Sequence, residues 1–287
     1  MKIVKTSPAI REEIRKNRGK TIGFVPTMGY LHRGHLSLVE QSKLENEVTV
    51  VSIFVNPAQF APHEDFDKYP RDFAMDEKLL SALGVDILFF PDVNEIYPPG
   101  YSTYVEVEVF SKVLCGQSRP THFRGVATVV LKLFNIVTPT NAYFGRKDAQ
   151  QAVIIKKMAA DLDLTVNIKT IPIVRDHDGL ALSSRNAYLS AAEREAALYL
   201  SRGLGKARQR IDQGLRKITG IREEIRKELE KNELIEIDYI EVVSLDKLTH
   251  FAGGASDAEI EMNNTLVAAA IKVGKTRLID NFILGEI

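Results

Sequence analysis

The chain has 287 residues, enough for one large or two ordinary domains, and its 45% hydrophobic and 26% charged residues are typical of a soluble globular protein. Lysine plus arginine equals aspartate plus glutamate at 38 each, so no net charge favours a nucleic acid or a membrane surface as partner. The single cysteine, Cys115, excludes an intrachain disulfide, and the lack of a signal peptide or of about 18 consecutive apolar residues predicts a cytoplasmic protein without a membrane span.

Strand-like and helix-like segments alternate through the first part of the chain. The strand-like runs are apolar and lie at residues 21–25, 48–55, 85–90, 142–144 and 165–174. The helix-like segments lie at residues 35–44, 72–83, 126–137 and 149–162. Such alternation predicts parallel strands joined by right-handed helical crossovers. Because several of these strands have a continuous apolar character, we expect a Rossmann-like α/β sheet with helices on both faces.

The composition changes after about residue 178, where charged amphipathic segments replace the alternating pattern. The elements expected there are helices at 191–214 and 218–231, strands at 235–243, 265–273 and 277–283, and a turn at 253–256. Val273–Lys275 predicts a hairpin turn between the last two strands. We therefore expect two domains, with the parallel sheet in residues 1–178 and a smaller α+β domain in residues 179–287.

The segment Pro26–His35 joins the first of these strands to the first helix and contains two histidines. His32 and His35 are three residues apart, with Gly34 between them. The first turn of a helix has free backbone N–H groups and the positive end of the helix dipole, which bind phosphate readily. Imidazoles three residues apart lie on one side of a helical turn, and a glycine lets a nucleotide approach the backbone. The pattern favours a phosphate site, although either histidine alone is as often a helix cap or a surface residue.

Three further polar segments follow predicted strands. They are Asn56–Phe60, Gly145–Gln151 and the stretch from Asp176 onward. Because ligands of parallel α/β sheets bind beyond the carboxyl ends of the strands, we expect these segments and Pro26–His35 to converge on one cleft. The amide of Gln59 can serve a substrate that carries hydroxyl and carboxylate groups, whereas a simple turn is the ordinary alternative.

Two segments have the composition that binds phosphoryl oxygens. Lys147 supplies a mobile positive charge beside Asp148, which is placed to cap the helix that starts at Ala149. Ser183–Arg185 combines two hydroxyl groups with an arginine, and its ordinary alternative is a serine-rich helix cap. Gln151, in the first turn of its helix, is expected to face the cleft.

The segment before the apolar helix at 126–137 has two open interpretations. Arg119, His122 and Arg124 suit an anion site, and they equally suit a solvated loop capped by Thr121. No spacing of histidine, cysteine or carboxylate side chains matches a zinc site, the group at His63–Asp65 included, so the metal ligands stay unknown. Walker A and GxGxxG sequences are absent, which argues against a P-loop kinase and a dinucleotide oxidoreductase.

The histidine pair resembles the HxGH signature of the nucleotidyltransferase superfamily, in which the histidines contact ATP phosphates. A longer ordered set of segments resembles the pantoate–β-alanine ligase family over essentially the whole chain. Those segments are Pro26–Gly29, His32–His35, Ser52–Phe60, Arg119–Gly125, Phe144–Asp148, Gln150–Gln151 and Leu182–Asn186. One departure is Arg146, which stands where glutamate is common in the family.

The resemblance implies an ATP-dependent condensation of pantoate with β-alanine that gives pantothenate, AMP and pyrophosphate through a pantoyl adenylate. It implies that residues 1–178 bind nucleotide and pantoate, that Mg²⁺ accompanies ATP, and that the chain is a cytoplasmic homodimer. The residues implied in ATP contact are Met28, Gly29, Tyr30, Leu31, His32, Arg33, Gly34, His35, Gly145, Arg146, Lys147, Asp148, Val174, Leu182, Ser183, Ser184 and Arg185. Gln59 and Gln151 are the implied pantoate contacts, and Gln59 is also the implied β-alanine contact.

Four of these residues are the expected catalytic groups. They are His35, His32, Lys147 and Arg185, because their side chains can stabilise negative charge that develops on phosphoryl oxygens. His35 carries the proton-donor role that the family resemblance implies. No enzyme nucleophile is expected, because the adenylate itself activates the substrate carboxylate.

Three alternatives remain open at this point. A cytidylyltransferase would share the HxGH element but would lack the segments Asn56–Phe60 and Arg119–Gly125. An aminoacyl-tRNA synthetase is disfavoured by the neutral charge and the short chain. A nucleotide-sensing protein on a degenerate fold is disfavoured by the intact set of polar segments.

Overall fold

The computed structural model describes residues 1–62, 64–251 and 258–285. Its strands are β1 (Lys2–Val4), β2 (Ile22–Thr27), β3 (Val48–Ile53), β4 (Ile87–Phe89), β5 (Asn141–Gly145), β6 (Asn167–Ile171), β7 (Ile235–Ser244), β8 (Asn264–Val273) and β9 (Thr276–Gly285). Its α-helices are α1 (Ser7–Lys16), α2 (Arg33–Glu45), α3 (Phe73–Ala82), α4 (Val93–Ile96), α5 (Cys115–Ser118), α6 (His122–Val137), α7 (Ala149–Asp161), α8 (Ala191–Asp212) and α9 (Ile218–Leu229). Short 3-10 turns lie at Pro57–Gln59, Phe110–Lys112, Arg146–Asp148 and Ser184–Tyr188. His63 and the turn expected at 253–256 lie outside the described residues.

The chain forms two compact units. The first unit comprises Met1–Ser111, Arg119–Arg146 and Ile154–Pro172. The second comprises Lys112–Ser118, Lys147–Val153 and the chain from Ile173 onward. The second unit thus includes two short segments that precede residue 154 in the chain. The division into 1–178 and 179–287 is a single cut and stays a prediction.

The first unit contains a six-stranded sheet in the order β1-β4-β3-β2-β5-β6, and its paired strands are parallel. The central strands are apolar and covered on both faces: Phe24, Val25, Val50 and Val51 are fully buried. The α/β prediction is therefore confirmed. Because all these strands run in one direction, the segments that follow β2, β3 and β5 leave the sheet at the same edge.

Two N-terminal elements were not expected from the sequence. β1 has three residues and pairs with β4, which is too short for a period-two pattern to be visible. The helix α1 buries only Ile10 fully, and its remaining surface is largely charged. A third difference is the start of α6, which begins at His122 rather than at Val126 and so includes part of the segment that was expected to precede the helix.

The second unit contains an antiparallel sheet in the order β7-β8-β9, whose core residues pack with those of α8 and α9. Val273 pairs with Thr276, and Gly274 adopts a φ of 57°, as a two-residue hairpin turn requires. The hairpin prediction at Val273–Lys275 is confirmed. None of the helices in the described part of the chain is long and apolar enough to cross a membrane.

Candidate functional site

His32 and His35 form a reciprocal cap at the start of α2. The His32 Nδ1 atom accepts a hydrogen bond from the Gly34 N–H at 3.2 Å, and the His35 Nδ1 atom accepts one from the His32 N–H at 3.4 Å. The two rings are stacked with centroids 4.0 Å apart and planes inclined by 35°. Because Nδ1 accepts in both rings, each neutral imidazole carries its proton on Nε2. The turn therefore presents two adjacent Nε2–H donors and is both a helix cap and a suitable anion site.

The loop before this helix is held by the carboxylate of Asp76 on α3. Its two oxygens accept hydrogen bonds from the Tyr30 and Leu31 N–H groups at 2.8 and 2.7 Å. Asp76 is only 2% exposed, and this burial raises the pKa of its carboxyl group even though the two N–H groups act in the opposite direction. Gly29 adopts a φ of 82°, and a Cβ there would lie 2.9 Å from a carboxylate oxygen of Asp76. The loop conformation thus depends on this one carboxylate.

Gln59 lies at the end of the 3-10 turn that follows β3, and its amide is fixed at both ends. Its Nε2 atom donates to the sulfur of Met28 at 2.9 Å, and its Oε1 atom accepts from the Asn56 amide at 3.1 Å. Asn56 is 1% exposed and also accepts a hydrogen bond from the Tyr97 hydroxyl at 2.8 Å. The structure thereby brings together two of the segments that were expected to meet, those containing Met28 and Gln59.

The backbone carbonyl of Gln59 is contacted by Arg119, which precedes α6, and by His122, the first residue of α6. The Arg119 guanidinium donates to the Gln59 carbonyl oxygen at 3.2 Å, and the His122 ring lies 2.9 Å from the same oxygen. Arg119 also forms a two-pronged ion pair with Glu64, at 2.6 Å for each contact. Burial alone would raise the pKa of Glu64, but the paired guanidinium lowers it below its ordinary value. The structure thus pairs Arg119 with a carboxylate of this chain, and Thr121 makes no side-chain capping bond.

The close approach of α6 to the Gln59 turn requires a glycine. A Cβ atom on Gly125 would lie 2.2 Å from the carbonyl oxygen of Ala58. The Gly125 carbonyl in turn accepts a hydrogen bond from Asn56 at 3.1 Å. This glycine, inside an apolar helix, lets the helix backbone contact the turn that carries Gln59.

An apolar pocket of about 190 Å³ lies beside the loop in the first unit. Met28 and Gly29 line one part of it, and the stacked rings of Phe73 and Phe90 line another. Its charged lining residues are Arg71 and the three aspartates Asp72, Asp76 and Asp92. A pocket of this composition suits a small, branched, partly apolar organic group.

The residues that follow β5 divide between the two units. Gly145 and Arg146 belong to the first unit, where the Arg146 guanidinium donates to the Thr170 hydroxyl on β6 at 3.3 Å. Lys147, Asp148 and Gln151 belong to the second unit, where Asp148 ends a 3-10 turn that continues directly into α7. The neighbouring residue Gln150 is 7% exposed and holds α5 through Cys115 N–H and the Val113 carbonyl.

The remaining predicted residues lie on a hairpin of the second unit. Leu182 N–H donates to the Val174 carbonyl at 3.0 Å, and Arg175 forms an antiparallel bridge with Ala181. Ser183 then caps a 3-10 turn, its hydroxyl accepting from the Arg185 N–H at 3.3 Å. Ser184 is 7% exposed within this turn.

Two aspartates of the hairpin anchor it to α8. Arg194 donates to Asp176 at 2.6 Å and to Asp178 at 2.9 Å. Hydrogen bonds from His177 and then from Arg194 lower the pKa of Asp176 to about 2. The hairpin that leads into Ser183–Arg185 is thus fixed at its tip as well as along its strands.

Arg33 is the predicted site residue that the structure places against an acidic neighbour on α2. Its guanidinium donates to Glu40 at 2.6 Å, and 63% of its side chain is exposed. Among the described residues, no cluster of three or more histidine, cysteine or acidic side chains could hold a metal ion.

The residues that position the predicted site were missed in the sequence. Asp76, Asp280 and Asn281 each contact a predicted site residue or its hairpin, and each is at most 4% exposed. A usable signal exists for Asp76, which lies on the same helical face as Phe73 and Leu80. A carboxylate at an apolar-face position indicates a buried partner.

Comparison with known proteins gives a match over nearly the whole chain. Residues 2–283 match the family model described as pantoate-beta-alanine ligase. A pantothenate synthetase of Acetivibrio thermocellus is 54% identical over 288 residues, covering 99% of both chains. A pantothenate synthetase of Thermotoga petrophila is 52% identical and covers 99% of this chain and 100% of its own.

Solved structures agree with these sequence matches. The pantothenate synthetase of Thermus thermophilus superposes with a TM-score of 0.93 at 41% identity and full coverage of both chains. The pantoate-beta-alanine ligase of Francisella tularensis, complexed with beta-gamma ATP and beta-alanine, gives a TM-score of 0.80 at 35% identity. That alignment covers 99% of this chain and 97% of the Francisella chain.

Proposed function

The chain belongs to the pantoate–β-alanine ligase family, and from this premise we propose that it activates pantoate with ATP at the predicted residues and then joins it to β-alanine. The products are pantothenate, AMP and pyrophosphate. The observation that carries the proposal is the reciprocal cap of His32 and His35, because it places two imidazole rings at the N-terminus of α2 with both Nδ1 atoms bound to backbone N–H groups. Two neutral donors at a helix N-terminus stabilise an anion without trapping it as an ion pair would.

The first step is attack of the pantoate carboxylate oxygen on the α-phosphorus of ATP. A new oxygen–phosphorus bond forms, the bond to the bridging oxygen breaks, and pyrophosphate leaves. Negative charge grows on the phosphoryl oxygens, and preorganised donors aimed at those oxygens lower the barrier. His32, His35, Lys147 and Arg185 supply such donors, together with the hydroxyl groups of Ser183 and Ser184.

The second step is attack of the free amine of β-alanine on the acyl carbon of the adenylate. The carbon–nitrogen bond forms, AMP leaves with the pair of electrons from the acyl–oxygen bond, and the nitrogen loses a proton. No enzyme nucleophile takes part, since the mixed anhydride already carries a good leaving group. Holding both reactants in place and excluding water supplies much of the rate.

Gln59 is the proposed recognition group for pantoate and for β-alanine, and Gln151 is a second pantoate contact. The Gln59 amide has one N–H directed at the Met28 sulfur, which is a weak acceptor that a substrate oxygen can replace. The contacts of Asn56, Arg119 and His122 hold the amide and its backbone while this exchange occurs. The apolar pocket beside Met28 suits the branched carbon skeleton of pantoate.

Mg²⁺ is proposed to enter with ATP. It commonly keeps several waters and binds through phosphates with one or two carboxylates rather than in an all-protein cage. When bound, the ion supplies charge neutralisation on the phosphates, and the donors named above act on the remaining oxygens.

A cytoplasmic homodimer is the assembly that the family resemblance implies. Light scattering coupled to gel filtration tests the assembly, with a mass twice that of the 32.1 kDa chain as the expected result. Fractionation of the native host tests the compartment. A monomer, or recovery outside the cytoplasmic fraction, would contradict these two parts of the proposal.

The activity is tested by following AMP formation with purified protein, pantoate, β-alanine and either ATP or CTP. We expect AMP and pantothenate in equal amounts with ATP, and little turnover with CTP. Turnover with CTP would favour the cytidylyltransferase alternative, and no turnover with either nucleotide would favour a nucleotide-sensing role.

A further inference from the structure

Two neighbouring residues of β9, Asp280 and Asn281, contact two different candidate segments of the second unit. They are 2% and 4% exposed, so their polar side chains are buried and held. Neither belongs to the motifs that the sequence singled out. Buried polar groups are costly unless they are hydrogen-bonded, and here the bonds go to predicted site segments.

Asp280 holds the hairpin that leads into Ser183–Arg185. Its two oxygens accept from the Arg175 guanidinium at 2.6 and 3.0 Å, a two-pronged ion pair. The same guanidinium donates to the Gly179 carbonyl at 3.2 Å, across the turn of the hairpin. The hairpin therefore cannot rotate about its own axis without breaking this pair.

The hairpin transmits this constraint to the candidate phosphate site. Arg175 lies one residue after Val174 and bridges Ala181, and Leu182 closes the ladder back to Val174. Ser183, which caps the following 3-10 turn, comes directly after Leu182. The ion pair between Arg175 and Asp280 therefore helps to fix the position of the hydroxyl and N–H groups in the Ser183–Arg185 turn.

Asn281 holds the other candidate segment. Its Nδ2 atom donates to the backbone carbonyl of Lys147 at 2.8 Å. Its own N–H donates to Asp280 at 2.8 Å, which joins the two contacts into one network. Lys147 is therefore fixed at its main chain, while its long side chain is left to reach a ligand.

The geometry of β9 explains how two adjacent residues serve two segments. Successive side chains of a strand point to opposite faces of the sheet, so Asp280 and Asn281 act on opposite sides. On the neighbouring strand β8, Ala269 pairs with Asp280 and Ala268 pairs with Asn281. The small alanine side chains leave room for the approaching segments.

We propose that Asp280 and Asn281 are positioning residues for the nucleotide phosphates, Asp280 through the Ser183–Arg185 turn and Asn281 through Lys147. The inference rests on the proposed role of those two segments in ATP binding. Neither residue touches the reacting atoms. Misplacing a binding group by about 1 Å can reduce a rate on the order of 100-fold, so small shifts of these segments are sufficient for a large effect.

The test compares Asp280→Asn and Asn281→Asp with wild type in the AMP-formation assay. Both changes keep the size of the side chain, but the first removes the charge that Arg175 needs and the second removes the donor to Lys147. We expect the KM for ATP to rise about tenfold or more, and the KM for β-alanine to stay within about twofold. If both variants keep the wild-type KM for ATP, or if all KM values rise together, the inference is wrong.

Glu228→Gln is the matched control. Glu228 is also a buried carboxylate of the second unit, 6% exposed and paired with Lys206 and Lys231, but it contacts no candidate segment. We expect it to lower the melting temperature without moving the KM for ATP. Arg175→Lys, at a side chain that is one-third exposed, replaces Asp280→Asn if that variant does not fold, and Asn281→Ser replaces Asn281→Asp in the same way.

Double variants that also carry Lys147→Met distinguish failure of this inference from failure of the proposed function. In Lys147→Met protein the KM for ATP should already be raised, and adding Asn281→Asp should raise it little further, because Asn281 acts through Lys147. Adding Asp280→Asn should still raise it, because its path runs through the hairpin. If Lys147→Met leaves the KM for ATP unchanged, the site assignment fails and the inference fails with it. If Lys147→Met raises the KM for ATP but Asp280→Asn and Asn281→Asp do not, only the inference fails.

Discussion

The histidine turn of the first unit and the basic segments of the second unit are both proposed phosphate-binding regions, and they differ in the groups that they offer. The turn offers neutral Nε2–H donors, and a carboxylate, Asp76, fixes its loop through two backbone N–H groups. The basic segments offer the charges of Lys147 and Arg185, and a network on β9 fixes their backbones. Neutral donors suit charge that appears only in the transition state, whereas formal cations also bind the ground state of ATP.

The two regions share one feature, which is support from residues far along the chain. Asp76 is separated from Tyr30 by 46 residues, Asp280 from Arg175 by 105, and Asn281 from Lys147 by 134. The proposed ligand-binding residues are grouped locally in the sequence, and the residues that hold them in place are not. If this comparison is right, loss of a neutral donor lowers kcat, and loss of a cation or its support raises the KM for ATP.

The largest effect is expected for His35→Ala. Removing one preorganised donor to a developing oxyanion costs roughly 2.7–4 kcal/mol of barrier, about 100- to 1,000-fold in kcat. Steady-state AMP formation measures kcat and the KM for ATP together. The comparison predicts that kcat falls much more than the KM rises.

His250→Ala is the control for that experiment. The His250 side chain is 53% exposed and belongs to no candidate segment, so its variant should keep wild-type kcat. A His35→Ala enzyme with near-normal turnover, or one in which only the KM for ATP changes, would break the distinction between the two regions.

Asp76→Ala is expected to have the next largest effect. It leaves the Tyr30 and Leu31 N–H groups without their acceptor, and each unsatisfied buried donor costs about 1–3 kcal/mol. Urea denaturation should show a free energy of unfolding lower by about 2–4 kcal/mol, and kcat should fall with it as the histidine turn loses its support.

Thr6→Ala is its control. Thr6 caps α1 by accepting a hydrogen bond from the Ala9 N–H at 3.4 Å, and loss of such a cap costs about 1 kcal/mol. This variant should lose stability without a matching loss of kcat. Equal kinetic effects of the two changes would show that Asp76 acts only through general stability.

Gly125→Ala is expected to lower the free energy of unfolding less than Asp76→Ala does, and to weaken the binding of pantoate selectively. Its Cβ would lie 2.2 Å from the Ala58 carbonyl, so the helix and the turn that carries Gln59 must separate. Overpacking of this kind costs about 1–3 kcal/mol in unfolding free energy, and the KM for pantoate should rise.

Gly205→Ala gives the matched comparison, since it makes the same change in another helix. Nothing lies within 4 Å of a Cβ at Gly205, so the alanine should stabilise α8 by about 1 kcal/mol and leave the KM for pantoate unchanged. If Gly125→Ala also stabilises the protein, the close contact between α6 and the Gln59 turn is not a constraint.

The smallest effect concerns pH and the tip of the 174–182 hairpin. The pKa of Asp176 is lowered to about 2, by His177 first and Arg194 after it, from an unfolded value near 3.9. A lowered pKa means that this carboxylate stabilises the fold above about pH 4 and loses that contribution as the pH falls toward about 2. Acid titration of the unfolding free energy should show wild type and Asp176→Asn converging over that range. A constant difference down to pH 2 would contradict the assigned shift.

The sequence predicted the parallel sheet well because its central strands are rich in β-branched apolar residues, as in Val48–Ile53, and each is followed by a helix. It missed β1 and α1, since a three-residue strand and a helix with one fully buried residue leave no clear pattern. The sequence pattern placed the start of α6 four residues too late, because Gly125 and its polar neighbours are typical of a loop. That glycine serves a contact with Ala58, which no local pattern reveals.

For the candidate site, the motifs predicted Gln59 and the histidine pair, and their roles stay predictions. The Met28–Gln59 contact in the structure agrees with the expected meeting of those two segments. Asp280 and Asn281 were not predictable, because a polar pair inside a strand gives no indication of which distant backbone it holds. Their roles depend on contacts that exist only after the second unit folds.

The most direct test of the account is pyrophosphate release in a single turnover with ATP and pantoate but no β-alanine. Wild-type protein should release about one pyrophosphate per active site, and His35→Ala and Lys147→Met should each slow that release strongly at low ATP. Saturating ATP should restore the Lys147→Met rate more than the His35→Ala rate. Release that strictly requires β-alanine, or release at the wild-type rate in either variant at low ATP, would contradict the account.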